Sequence, residues 1–446
     1  MTVLPVGKEI AEISMQYNLH AWSVQGSAPI AMTRGEGVYF WDTDGKRYFD
    51  MSSQLVNLNI GYGNKKVIKA IQNQAERLAY VAPSLAVDVK SQLAKMIIEV
   101  SPDNMGKVFF TLGGSDANES AIKIARMYTG RHKYFSRYLS YHGSTFAAGN
   151  LSGEPRRYTM EPGFPGFIKF FDPYIYRAPV PFANEEAATA YYLGQLRTQI
   201  IYEGYESVAA IFVETVTGSN GVIIPPQGYL QGIRKICDEF GVLMVCDEVM
   251  AGFGRTGEWF AFNHAGVKPD LVTFAKGITS GYAPLGGVIV SKKISDYFNE
   301  AYFNCGLTYS GHPLGCAAGI ASIEYYKETK LIEQTKERGV FLGKLLEALK
   351  EKHPCVGDVR YIGLFSAVEL VKDKKTKEPL VEVRTLGANK TMKGITAQLA
   401  AKGFYTYAHR NSIIVAPPLI ISEAELTEAL GILDEVLLEV DKMIAN

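Results

Sequence analysis

The sequence predicts an α/β fold: a large domain around a mostly parallel central sheet, followed by a smaller α+β C-terminal domain. Two observations lead there. From about residue 65 to 330, short apolar runs suited to buried strands alternate with helix-like windows, as in a parallel sheet covered by helices. From about residue 331 the texture changes to Lys- and Glu-rich amphipathic helices with short strands among them. A length of 446 residues suits more than one core. The expected division is an N-terminal segment, 1–60, packing with the small domain; a large domain, 61–330; and a small domain, 331–446.

The elements follow in order. Residues 1–60 hold one helical stretch and then VYFWDTDGKRYFDM, where two β-rich runs flank Asp44-Gly45 as a hairpin. Strands are expected at 108–111, 208–214, 242–246, 271–275 and 287–291, with helices at 65–80, 117–128 and 228–240. Residues 153–183 are rich in Pro and Gly and read as a long loop, which in a compact domain is usually functional or mobile. Beyond it come helices at 331–352, 387–402 and 423–444, and strands at 366–370 and 412–415.

Composition excludes several classes. Lys+Arg and Asp+Glu are both 46, so a formal charge of zero gives no electrostatic case for nucleic acid or an anionic membrane. No apolar run approaches the roughly 18 residues of a membrane span. The start, MTVLPVGKEIAEISMQ, lacks a secretory apolar core. Cysteines 237, 246, 305, 316 and 355 form no C-x-x-C pair and are expected as free thiols in a reducing cytoplasm.

Four constellations could carry chemistry. In Gly113-Gly114-Ser115-Asp116-Ala117 a strand ends, two glycines turn and a helix begins, so free N–H groups and a positive dipole end could hold a phosphate. The spacing is neither a Walker A loop nor a full G-x-G-x-x-G, and a plain helix capped by Ser115 or Asp116 is the competing reading. In Val245-Cys246-Asp247-Glu248 an apolar strand ends in two carboxylates, and Asp247 points toward the crevice where parallel sheets bind ligands. It suits a metal, a ribose, a protonated ring nitrogen or a helix cap. In Asp270–Gly287, DLVTFAKGITSGYAPLGG, an apolar strand delivers one lysine, Lys276, into a glycine-rich bend. A buried lysine is costly unless it is paired or reactive, and burial frees the amine as a nucleophile. Tyr141-His142-Gly143 could stack on a flat cofactor or simply pack.

A phosphate cradle, an acid for a ring nitrogen, a stacking aromatic and a reactive lysine together are the parts of a pyridoxal phosphate (PLP) enzyme. Lys276 would hold the cofactor's aldehyde and then move a proton as base and acid. Asp247 would keep the pyridine nitrogen protonated. The glycines admit the backbone close to the cofactor and leave the amine room to swing.

With those residues placed, the chain resembles the class III, or ω-amino, transaminases of PLP fold type I over nearly its whole length. The resemblance rests on Gly113-Gly114-Ser115-Asp116-Ala117-Asn118-Glu119, Tyr141-His142-Gly143, Cys246-Asp247-Glu248-Val249, Gly252-Phe253-Gly254-Arg255-Thr256-Gly257, Phe274-Ala275-Lys276-Gly277, Thr308-Tyr309-Ser310-Gly311-His312-Pro313 and Ala416-Pro417-Pro418-Leu419. It implies Lys276 as the Schiff-base lysine and Asp247 as the pyridinium partner. It also implies Val249 and Tyr141 on the two ring faces, His142 beside them, and Gly114 and Ser115 at the phosphate. A homodimer is implied, alone or paired into a tetramer, with Thr308 lent to the partner's phosphate. Glu214 matches the family's active-site glutamate, although Thr215 stands where the family usually has proline.

Substrate residues are less determined. Trp22 lies in the segment that lines the substrate entrance in the family. An anionic substrate calls for arginine. Arg156 and Arg157 follow the Tyr141 strand, and Arg410 sits where the family often binds the keto acid's carboxylate, with Tyr407 as a competing alignment. The run Met51-Ser52-Ser53-Gln54-Leu55-Val56-Asn57-Leu58-Asn59-Ile60-Gly61 looks like that of taurine-type transaminases using 2-oxoglutarate, whereas pyruvate-using amine transaminases often have tryptophan at the Val56 position. The expectation is taurine or β-alanine with 2-oxoglutarate. Alternatives are a pyruvate-dependent ω-amino acid or diamine transaminase, a PLP aminomutase, racemase or decarboxylase, a Rossmann-type nucleotide enzyme, and a non-catalytic PLP-binding protein.

Overall fold

The computed structural model describes residues 4–382 and 389–445. Among the described residues the strands form three sheets. The first is antiparallel over β1 (Met32–Glu36), β2 (Tyr39–Asp42) and β3 (Arg47–Asp50). Its β2–β3 turn is the expected hairpin: Asp42 Oδ1 accepts from the backbone N–H of Asp44 (3.0 Å) and Lys46 (2.9 Å), and Gly45 has φ 78°.

The large sheet contains β4 (Met105–Thr111), β5 (Lys133–Arg137), β6 (Phe167–Phe170), β7 (Val208–Glu214), β8 (Leu243–Asp247), β9 (Leu271–Phe274) and β10 (Gly286–Ser291), in the order β4-β10-β9-β8-β7-β5-β6. Only β10 runs against the others. Every residue of β7 is buried, because helices cover both faces. Its alternate side chains divide accordingly. Ile211 and Val213 join the core that includes Tyr229 and Ile233 of the helix Tyr229–Phe240. Ala210 and Phe212 join the core formed with Ala117, Ala121 and Ile124 of the helix Gly114–Thr129.

The third sheet takes β11 (Val356–Ile362), β12 (Phe365–Asp373), β13 (Glu378–Pro379), β15 (Ala408–His409) and β16 (Ser412–Val415), while β14 (Phe404–Tyr405) leaves it to pair in parallel with β3. The N-terminal sheet is thereby joined to the C-terminal region. The helices Leu331–Lys352 and Glu423–Ala445 pack together there. His353 is fully buried between them, with Nδ1 2.6 Å from Asp441 Oδ2 and Nε2 2.7 Å from Asp434 Oδ1.

Two expectations are corrected. Residues 153–183 are not one long loop: they contain a 3₁₀ turn at Pro155–Met160, strand β6 and a second 3₁₀ turn at Ile175–Arg177. The four-residue FIKF strand is fixed by pairing with β5 at the sheet edge, which local sequence does not encode. The helix expected at 387–402 is described from Lys390 to Ala401, and positions 387–388 lie outside the described residues.

Candidate active site

A cavity of about 1100 Å³ opens at the carboxyl ends of β4, β5, β7, β8 and β9, the position expected for a ligand site in a parallel sheet. Lys276 enters it from β9. The four β9 residues are buried, Ala275 stays extended, and the chain then turns at Lys276 with φ 50°. A Cβ on Gly277 would lie 2.6 Å from Asn59 Nδ2 and 3.0 Å from Phe253 Cβ, so only glycine fits behind the lysine. Burial lowers the Lys276 ammonium to about 8, against the opposing fields of Asp247 and Glu214.

Asp247 ends β8, and its carboxylate is held on both oxygens. Oδ2 accepts from Asn118 Nδ2 (2.8 Å) and lies 2.7 Å from His142 Nδ1, while Oδ1 accepts from the Val249 N–H (3.0 Å). The carboxylate acceptor places the ring proton of buried His142 on Nδ1. Asn118 also donates to the His142 carbonyl (2.8 Å), and its own Oδ1 accepts from Thr273 Oγ1 (3.1 Å). Glu214, buried at the end of β7, accepts from the N–H of Tyr141 (2.9 Å) and Gly218 (2.8 Å), and desolvation raises its pKa.

After β4 the helix Gly114–Thr129 begins without a side-chain cap, so neither Ser115 nor Asp116 serves as the cap. Its first intrahelical bond runs from Ala117 N to Gly113 O (3.0 Å), leaving the N–H groups before it without helical partners. A Cβ on Gly114 would meet Val249 Cγ1 at 2.8 Å. Gly114, Ser115 and Val249 therefore form one close-packed corner of the cavity. At the Thr215 position, where proline was the family expectation, the hydroxyl donates to Glu248 Oε1 (2.5 Å).

Another part of the wall is basic. Arg156 lies with Cζ 3.8 Å from the centroid of the Tyr141 ring and 5.7 Å from that of Trp22. Its Nε pairs with Glu154, and Nη2 donates to Ser219 Oγ (3.2 Å). Arg410 and Tyr407 also line the cavity. Arg157 turns away to Glu161 (2.8 Å) and is not part of the lining. Thr308 is exposed and also lies outside the lining.

The structure thus gathers Trp22, Gly114, Ser115, Tyr141, His142, Arg156, Glu214, Asp247, Val249, Lys276 and Arg410 around one space. It adds Asn118 and Glu154, which sequence reasoning passed over. Asn118 had a faint signal, being one helical turn beyond Gly114 on the same face. Glu154 had another, a carboxylate two residues before an arginine at the start of a Pro-containing turn.

The residues fit pyridoxal phosphate: an amine made nucleophilic by burial, a fixed carboxylate, and a helix N-terminus packed too closely for any residue but glycine. Fold and cavity are those of a PLP enzyme of fold type I. Residues 22–437 match the family model of class III aminotransferases, and the chain belongs to that PLP-dependent family. It is similar to the solved taurine:2-oxoglutarate aminotransferase from Bifidobacterium kashiwanohense, in complex with PLP and glutamate, at 48% identity and TM-score 0.96, with 99% of each chain covered. It is 35% identical to the putrescine–pyruvate aminotransferase of Pseudomonas aeruginosa, with 89% of this chain and 88% of that one covered. It is 34% identical to the taurine–pyruvate aminotransferase of Bilophila wadsworthia, with 93% of each covered.

Proposed function

We propose that this aminotransferase moves the amino group of an ω-amino acid with an anionic far end, taurine or β-alanine, to 2-oxoglutarate in a ping-pong cycle. The observation that supports this most is the pair of guanidinium groups, Arg156 and Arg410, in the wall of the cavity that holds Lys276. Arginine matches carboxylate and sulfonate through its planar donors. The similarity to the Bifidobacterium taurine:2-oxoglutarate aminotransferase supports the reading. Relatives named for putrescine and pyruvate favour a second reading, a pyruvate-dependent transaminase accepting diamines.

Bound PLP supplies an aldehyde carbon and an electron-withdrawing pyridinium ring. In our reading Lys276 Nζ would hold that aldehyde, and the same amine is placed to carry a proton to and from the substrate carbon. Asp247, immobilised by Asn118 and His142, would keep the ring nitrogen protonated. The N–H groups at Gly114 and Ser115 would hold the phosphate. Val249 and Tyr141 would confine the ring, and Glu214 fixes the backbone of Tyr141. Residues 61–330 form the cofactor domain and 331–446 the smaller lobe that supplies Arg410. The chain works in the cytoplasm as a homodimer, with Thr308 completing the phosphate site of the other copy.

The test is steady-state kinetics of Arg156→Ala and Arg410→Ala. Loss of one charge-assisted contact is expected to raise KM for donor or acceptor by roughly 10- to 100-fold. If both variants leave both KM values unchanged, the substrate assignment fails.

A further inference from the structure

Glu154 is the feature of this cavity that the transamination chemistry does not use. Its side chain is 1% exposed, yet it belongs to the lining of the space that Arg156 and Arg410 also line. It is placed by the backbone: its N–H donates to the Ser140 carbonyl (3.3 Å), and its own carbonyl accepts from Arg157 N (3.0 Å), which starts the 3₁₀ turn Pro155–Met160. From there its carboxylate takes the Nε–H of Arg156. Ser219 Oγ takes an Nη2–H of the same guanidinium, whose Cζ stands 3.8 Å from the centroid of the Tyr141 ring. The side-on donor edge of Arg156 is therefore filled by the protein, and its charge is balanced where it meets the cavity. Arg410 has no ion pair within 4 Å among the described residues, and Glu154 lies within its electrostatic reach.

We infer that Glu154 is a specificity-determining positioning residue: by pairing Arg156 over Tyr141 it offsets part of the charge of one of the two cavity arginines and sets how strongly the site prefers a substrate with an anionic far end. The inference rests on the transaminase reading and goes beyond it. With Glu154 in place, the wall offers one guanidinium without a direct ion-pair partner among the described residues, Arg410, enough to attract a single anionic group yet tolerant of an amine. With Glu154 neutralised, two cations face the substrate. Attraction for anionic donors rises, and a second ammonium on the donor is repelled. In a partly solvated site, one added charge changes apparent affinity by about tenfold.

The experiment is the half-reaction of the holoenzyme with an amine alone, followed by the cofactor's visible absorbance. β-Alanine and 1,3-diaminopropane are compared in wild type, Glu154→Gln and Glu154→Asp. Glu154→Gln is expected to lower the half-saturating concentration of β-alanine about tenfold and raise that of 1,3-diaminopropane about tenfold, with the maximal rates moving in parallel. Glu154→Asp, which keeps the charge, stays near wild type. The inference is overturned if both half-saturating concentrations move in the same direction, or if neither moves. Should neither amine react with wild type, the donor assignment of the preceding section fails, and calorimetric binding of propionate still decides the role of Glu154. Tighter binding in Glu154→Gln supports it, and equal or weaker binding overturns it.

Discussion

Asp247 and Arg410 both carry charge into the same cavity, but their surroundings differ. Asp247 has partners on both oxygens, from Asn118, His142 and Val249 N–H. Arg410 has no ion pair within 4 Å among the described residues, and its buried Nε has no hydrogen-bond partner. Burial lowers its pKa, opposed by the fields of Asp172 and Glu154. A charge that takes part in bond-making needs one fixed geometry, and a full set of hydrogen bonds supplies it. A charge that discriminates among substrates needs spare capacity, because an uncompensated buried charge gains most from an incoming counter-ion. On the proposed function, chemistry would reside at the strand ends and selectivity on the arginine wall.

Breaking the chemical side should have the largest effect. Lys276→Ala would remove both the amine for the aldehyde and the proton carrier, and turnover should fall by at least about 10³-fold while the fold is kept. Residual activity above one tenth of wild type would contradict the role of Lys276. Asp247→Asn keeps the shape and removes the charge. kcat should drop by roughly 10²- to 10³-fold, with donor KM changed far less. A KM effect with unchanged kcat would move Asp247 to the selectivity side.

Two pH profiles sharpen the contrast. Lys276 titrates near 8 because it is buried, below its ordinary value of 10.5, and only the neutral amine attacks an aldehyde. Capture of PLP by apo-protein should therefore accelerate about tenfold per pH unit below 8 and level off above it. Continued acceleration to pH 10 would mean an unperturbed lysine. The same depression makes protonated Lys276 a folding cost that is full below 8 and fades toward 10.5, so apo-protein gains stability as pH rises through that window. The arginine wall behaves oppositely. Burial and the neighbouring Arg410 and Arg156 push His409 down to about 3, so it stays neutral and the wall's charge is constant. Between about pH 7 and 9 acceptor KM should follow Lys276 alone, with no further step from the wall. A second step of KM in that range would require another titrating group at the wall.

The same division explains what was readable from sequence. Lys276, Asp247 and Gly114-Ser115 each follow an apolar run at a strand end, a local pattern with a physical cause. Glu154 is placed by a contact distant in sequence, its N–H reaching the Ser140 carbonyl. Asn118 is an ordinary helical position until Asp247, 129 residues away in sequence, is folded against it. The helix Pro313–Glu328 lacks a polar face to reveal its period, since it is buried on most sides. Gly319 lets it approach closely, as a Cβ there would meet Leu93 Cδ2 at 2.8 Å. Strand β6 depends wholly on its pairing with β5.

The most direct measurement is the visible spectrum of the holoenzyme titrated with single amines in the absence of keto acid: taurine, β-alanine, γ-aminobutyrate, ornithine and an aryl amine. The expected result is conversion of the cofactor band to its amine form by taurine or β-alanine at the lowest concentrations, and its return on adding 2-oxoglutarate. Conversion by the aryl amine or ornithine in preference to both would contradict the anionic-donor assignment. A band that no amine converts would contradict transfer from ω-amino donors altogether.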